Sequence, residues 1–287
     1  MLASFLLSLR EGLEAALIIG IVLGVLLKIK RTDLNIVVWC GVGVAAILSL
    51  LAAIALNLLG MEFEGKGEEV FEGVAMLLAA GVLTWMILWM QNHGSNLKSE
   101  IEKQTNQAAF GNGQKALFAL AFLAVFREGI ELALFLLAAR LTSSPLQTLS
   151  GALLGLLSAT ILGWVLFTST MKLSLRGFFG ATNILLIVFA AGLVGLGIHE
   201  FNEAGVIPSI IEHVWDVNRI LSDKSEVGLL LKALVGYNGN PSLTEVAAYL
   251  VYLAVIISLV FYQYTCSRIS TTPLMPPQLS KWKAAER

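Results

Sequence analysis

Two short words of the same chemistry stand in this chain, Arg10-Glu11-Gly12-Leu13-Glu14 and Arg127-Glu128-Gly129-Ile130-Glu131. On a helix, residues advance by about 100° and 1.5 Å each, so the two glutamates of a word lie about 60° apart and about 4.5 Å along the axis. The arginine falls beside the second glutamate at i, i+4, and the three charges share one face. The glycine points elsewhere and leaves a smooth surface for a neighbouring helix. If the two charged faces meet, Glu11, Glu14, Glu128 and Glu131 converge with Arg10 and Arg127, at a formal charge of −2 when all are ionised. A cation would offset that excess. Oxygen ligands without sulfur favour hard ions such as iron, manganese, magnesium or calcium over Cu(I), and spacing does not choose among them.

The elements that carry these words are apolar. Of 287 residues, 57% are hydrophobic and only 14% charged, with a mean hydropathy of +0.80. That composition excludes an ordinary soluble domain and fits membrane spans of about 20 apolar residues. Apolar segments fall at roughly 2–27, 35–59, 68–90, 115–139, 146–169, 177–199 and 243–265. The two charged words lie within the first and fourth. Each buried charge costs about 2.5–3.5 kcal/mol to insert, so the two words cost about 15–20 kcal/mol before pairing and snorkelling reduce it. Simple helix-pinning salt bridges, Arg10–Glu14 and Arg127–Glu131, would leave Glu11 and Glu128 unpaired and would not explain the duplication. Transport is the better reading.

Aligning Ser4–Ile19 with Ala121–Leu136 leaves eight of sixteen positions identical. Three spans separate the two copies, so the first and fourth helices run in opposite directions, the mark of an inverted-topology repeat. The expected fold is all-α: a polytopic membrane protein of seven transmembrane helices, an inverted 3+3 repeat plus one C-terminal helix. Its parts are a first three-helix repeat (1–90), a cytoplasmic linker (91–114), a second three-helix repeat (115–199), a periplasmic loop (200–242), a seventh helix (243–265) and a cytoplasmic tail (266–287). With the N-terminus outside, the inner loops hold twelve Lys and Arg residues and the outer loops five, so N-out and C-in follows from the positive-inside rule. The N-terminal segment lacks a basic n-region and a clean cleavage site, and reads as a retained helix. Cys40 and Cys266 fit neither a disulfide framework nor a metal motif and read as packing residues with free thiols near the reducing face.

The paired Arg-Glu-x-x-Glu helices resemble those of the oxidase-dependent iron permease family, which includes the fungal high-affinity iron permeases and the bacterial ferrous-iron permeases of the EfeU type. The likeness runs through nearly the whole chain: the seven-span layout, Phe71-Glu72-Gly73, Trp85 to Trp89-Met90, His199-Glu200, and Gly236-Tyr237 to Pro241-Ser242. The resemblance implies iron permeation across an inner membrane into the cytoplasm, with Glu11, Glu14, Glu128 and Glu131 handling iron and Arg10 and Arg127 in the same motif. Iron is then the transported substrate and no cofactor is permanently bound. Four carboxylates suit Fe²⁺ or Fe³⁺. An oxidase or a periplasmic iron-delivery protein would be a separate partner; beyond these, the partners are the iron ion and membrane lipid.

Other residues carry weaker signals. Glu62, Glu64, Glu68, Glu69 and Glu72 cluster at the outer entry of the third span, with only Lys66 opposing them. An acidic vestibule would concentrate cations, although carboxylates at a helix N-terminus are favoured by the macrodipole anyway. Glu69, Glu72, His199 and Glu200 are candidate entry-site residues, with Glu203 nearby. His93 and His213 have no partner at ligand spacing, and Trp85, Trp89 and Met90 read as packing or interfacial anchors. No Lys/Arg-rich run suggests nucleic acid, and no Walker loop or nucleophile elbow suggests an ATPase or hydrolase, so the chain is expected not to be an enzyme. Two rivals are an intramembrane glutamate-dependent hydrolase, which lacks a second histidine near His199, and a metal sensor that binds without transporting. The short tail with Pro273, Pro276 and Pro277 offers no signalling domain.

Overall fold

The computed structural model describes all residues except 62–63, 94–96, 111–112, 142, 169–174, 219–220, 224 and 271–287. Glu62, Arg219, Lys224, the tail prolines and the side chains of His93 and Cys266 thus lie outside the described residues. Among the described residues the fold is helical and contains no strand. The long helices are α1 (Leu2–Lys28), α2 (Asn35–Met61), α3 (Lys66–His93), α5 (Gly113–Leu141), α6 (Pro145–Thr168), α7 (Leu175–Glu203) and α9 (Leu243–Ser270). Two shorter ones, α4 (Leu97–Phe110) and α8 (Glu226–Val235), lie in the long connections.

Five of these helices, α2, α3, α6, α7 and α9, are long and apolar enough to cross a membrane, which makes this a multi-pass membrane protein. α1 and α5 match them in length, at 27 and 29 residues, but carry the charged words. α2, α6 and α9 turn large apolar side chains outward, among them Ile47, Leu50, Leu153, Trp164, Val251 and Phe261. In water such faces would aggregate; against lipid they are solvated. α3 and α7 bury more of their length and sit inside.

Lipid offers no hydrophobic drive for helices to pair, so close approach at small residues holds them together. α1 lies parallel to α6: Gly151 approaches Met1 O and Ser4, Gly155 approaches Phe5 O and Ser8, Gly12 faces Ala159, and Gly163 faces Ala16. α5 lies parallel to α2 by equivalent contacts, Gly41 against Phe118 O and Ala121, and Gly129 against Ser49. The correspondence is regular: residues 1, 4 and 12 map to 118, 121 and 129 by a shift of 117, and 41 and 49 map to 151 and 159 by a shift of 110. α3 and α7 meet antiparallel, where Gly73 faces Gly197 O and Phe201, while Gly197 faces Gly73 O and Leu77. Each charged helix thus packs on a helix distant in sequence, α1 on α6 and α5 on α2.

The segment expected as a polar linker contains α4, whose Ile101, Thr105, Ala108 and Ala109 are buried, the first, third and fourth of them in the cluster formed by α1, α2 and α5. One apolar stripe on an otherwise polar helix suffices for docking. Arg31 Nη1 donates to Ala109 O at 3.3 Å, tying this helix to the turn after α1. In the second connection, Ser225 caps α8 by accepting from Gly228 N, and Gly236 ends it at φ +68°. Gly236 also lies backbone against backbone on Gly192 of α7, where a Cβ on either residue would collide. Cys40, read as a packing residue with a free thiol, is a free thiol on α2 and is exposed.

Candidate metal centre

Arg10 and Glu11 are among the most deeply buried residues of the protein, each 1% exposed, and Glu128 and Glu131 are each 5% exposed. The glycine in each word makes this possible. Gly12 lets α6 come close behind α1, and Gly129 lets α2 come close behind α5, so both charged faces are pressed inward toward each other. Glu11, Glu128 and Glu131 each place a carboxylate oxygen within 4.8 Å of the other two. Among the described residues this is the one group of three metal-ligating side chains so arranged.

The arginines partition the rest. Arg10 Nη1 donates to Glu11 Oε1 at 2.6 Å, and its Nη2 lies 2.7 Å from Glu14 Oε1. The second is a close charge contact without the alignment of a hydrogen bond. Arg10 thus holds Glu14 as closely as it holds Glu11, and Glu14 stands beside the group of three. Glu11, which a simple Arg10–Glu14 bridge would leave unpaired, is paired as well. Arg127 Nε donates to Glu131 Oε1 at 3.0 Å and lies 3.8 Å from Glu128 Oε1. One oxygen of each trio member, Glu11 Oε2, Glu128 Oε2 and Glu131 Oε2, is buried with no donor. Buried carboxylate oxygens without partners are costly, and a cation is the kind of partner that offsets that cost.

Apolar layers close the site on both sides. Ala3 and Leu7 of α1 join Phe135 and Ala138 of α5 in one cluster with α3 and α7. Ile19, Val22 and Leu26 of α1 join Leu117 and Ala121 of α5 in another. The charged layer lies between them, and this dry setting strengthens its electrostatics.

Both arginines also rest on α3, which sequence reasoning had reduced to packing. Arg10 reaches Met86 Sδ at 2.9 Å and Met90 Sδ at 3.6 Å. The Arg127 guanidinium stands 4.8 Å from the Trp89 ring and 5.5 Å from that of Trp85.

At the end of the bundle that holds the α1 N-terminus, a cavity of about 400 Å³ is lined by His199, Asn202, Glu203, Glu212, His213, Asn238 and others. His199 Nε2 lies 3.3 Å from Glu203 and its Nδ1 lies 3.4 Å from the buried Glu245 of α9. Asn238 Nδ2 donates to both oxygens of Glu245, at 3.2 and 3.0 Å. Glu72 is half-buried and feels the charges of Glu68, Glu203, Lys232 and Arg140, while Glu200 feels that of Glu72. Glu69 keeps one buried oxygen without a donor. His213, given no role from sequence, lines the cavity, and Glu245 was missed. Its place in Ser242-Leu243-Thr244-Glu245, with Glu245 N donating to Ser242 Oγ at 3.2 Å, reads as a capping box and hides its second use.

A buried carboxylate layer between antiparallel helices of a lipid-facing bundle belongs to the class of multi-pass membrane proteins with charge held inside. The chain belongs to the iron permease FTR1 family, whose model matches residues 1–271. Ferrous iron permease EfeU of Escherichia coli O157:H7 is 38% identical over 255 residues, covering 88% of this chain and 92% of the relative. Ferrous iron permease EfeU of Yersinia pestis is 37% identical over 263 residues, 91% of this chain and 93% of the relative. The EfeU of Escherichia coli strain K12, whose name carries the qualifier inactive, matches at 38% over 88% of this chain and 92% of its own length. No solved structure matches. The protein is accordingly an iron permease and not an enzyme.

Proposed function

We propose that this permease carries Fe²⁺ across the inner membrane into the cytoplasm through Glu11, Glu128 and Glu131, with Glu14 exchanging between Arg10 and the ion. The observation that carries the reading is the buried trio with three donorless oxygens. Relatives are named ferrous iron permeases, and a divalent ion would neutralise the formal −2 of four carboxylates and two guanidiniums. Arg10 and Arg127 hold the glutamates apart from one another when no ion is bound, and protonation of a crowded carboxylate offers a route to release.

The architecture that fits is seven spans in an inverted 3+3 repeat plus α9, with the N-terminus outside. The constant shifts of 117 and 110 between equivalent contacts, and the reciprocal Gly73–Gly197 crossing, support it. The two apolar clusters would then part in turn, one toward each face, around the fixed charged layer. Glu69, Glu72, His199 and Glu200, with Glu203 and the cavity beside them, form the entry region, where a separate delivery or oxidase protein would hand over iron.

The test is radioactive iron uptake into proteoliposomes, with Glu11→Gln, Glu128→Gln and Glu131→Gln beside the wild type and with manganese, zinc and calcium as competitors. Uptake should fall to the level of empty liposomes in each variant. Unchanged flux in all three would refute the glutamate pathway.

A further inference from the structure

The two arginines come from different halves of the chain, yet one helix receives both. On α3, Trp85 and Trp89 sit at i, i+4 and face Arg127, while Met86 and Met90, one residue further on, face Arg10. We infer that Trp85, Met86, Trp89 and Met90 form a cradle that takes the two guanidiniums off the glutamates when the metal ion arrives. This inference rests on the glutamate pathway proposed above.

The chemistry of the four side chains supports that role. A guanidinium has five N–H donors and no acceptor. The ion draws charge from the carboxylates and loosens their hold on the arginines, which in a dry site need further acceptors. Thioether sulfur accepts weakly and indole faces attract cations, and neither carries a charge. Both can therefore host an arginine without competing for the metal, as another carboxylate would. Met86 is 1% exposed and already 2.9 Å from Arg10, so only a small shift separates the two partners of that arginine. Trp85 is exposed over more than half its surface, so its outer side is free of core packing. A packing role explains neither the alignment of both pairs on arginines nor the presence of two sulfurs at the one buried guanidinium.

The cradle sets apparent metal affinity rather than turnover, so these are positioning residues, and the assay must separate the two. Initial iron uptake is measured over a range of iron concentrations in proteoliposomes of wild type, Trp85→Leu, Trp89→Leu, Trp89→Phe, Met86→Leu with Met90→Leu, and Glu128→Gln. Leucine keeps the volume of methionine, and Trp85→Leu alters an exposed position, so variants that fold are in hand. The expected result is an iron KM raised about tenfold in the leucine variants, the scale of a lost desolvated cation–π contact, with maximal rate within about twofold. Trp89→Phe, which keeps a ring, recovers most of the loss. A fall in maximal rate at unchanged KM, phenylalanine behaving as leucine, or wild-type kinetics throughout would each overturn the cradle. If cradle variants are normal while Glu128→Gln is dead, only the cradle falls; if Glu128→Gln transports normally, the glutamate pathway falls and the cradle with it.

Discussion

Replacing Arg10 by alanine should damage the protein far more than replacing Arg127, although the two occupy equivalent places in their words. Arg10 is 1% exposed and lies 2.6 and 2.7 Å from the oxygens of two buried glutamates. Its removal leaves both carboxylates in a dry layer without a counter-charge, a loss of about 3–5 kcal/mol for breaking a buried pair from one side. Arg127 is 35% exposed along its side chain and holds one glutamate closely, at 3.0 Å. It has one close ion pair to lose rather than two, so Arg127→Ala should cost less, about 1–2 kcal/mol. The Arg10 loss comes from stranded charge, so neutralising one partner should return part of it. Arg10→Ala combined with Glu14→Gln should be more stable than Arg10→Ala alone, with a coupling of at least about 1 kcal/mol. Unfolding in detergent of the wild type, Arg10→Ala, Glu14→Gln, their double variant and Arg127→Ala, followed by intrinsic tryptophan fluorescence and monodispersity, measures this. Equal losses for the two arginines, or a double variant no better than Arg10→Ala, would refute the reasoning.

Two further outcomes are expected. Gly129→Ala should lose about 1–3 kcal/mol by overpacking, because its Cβ would collide with Ser49 Oγ, and Ser49→Gly should restore the helix contact; the readout is again detergent stability. In a variant with Cys266→Ser, the exposed thiol of Cys40 should react with a membrane-impermeant maleimide only from the cytoplasmic side; labelling from outside would reverse the proposed orientation.

What could be read in the sequence was set by contrast. Charge inside apolar segments stands out, so Arg10, Glu11, Glu14 and their counterparts were visible, as was the duplication. Helix lengths followed from segment lengths. The partner of each helix did not: that α1 lies on α6 rather than on α2 depends on which small residues meet, and Gly12 and Ala159 are silent about each other until folded. Trp85, Met86, Trp89 and Met90 looked like ordinary apolar residues because aromatic rings and thioethers pack well whether or not a cation rests on them. The pairing of Arg10 with both Glu11 and Glu14 was hidden for a related reason, since helical spacing gives a face but not the contacts made on it. α4 escaped notice because its buried stripe of Ile101, Thr105, Ala108 and Ala109 is narrow and its composition polar.

The exchange of partners between the halves has a consequence for how the protein is made. α1 is made first with three charges, yet the helices that bury its faces, α5 and α6, begin about 110 and 140 residues later, a wait of about 6–30 s at ordinary translation rates. During that interval Arg10 can neutralise its own glutamates by i, i+1 and i, i+4 contacts, so the intrahelical pairs serve as a temporary shield before they serve the finished site. A half-length chain would never leave that stage. Separate pieces, one ending before α5 and one beginning there, would each lack the helix on which its charged helix packs.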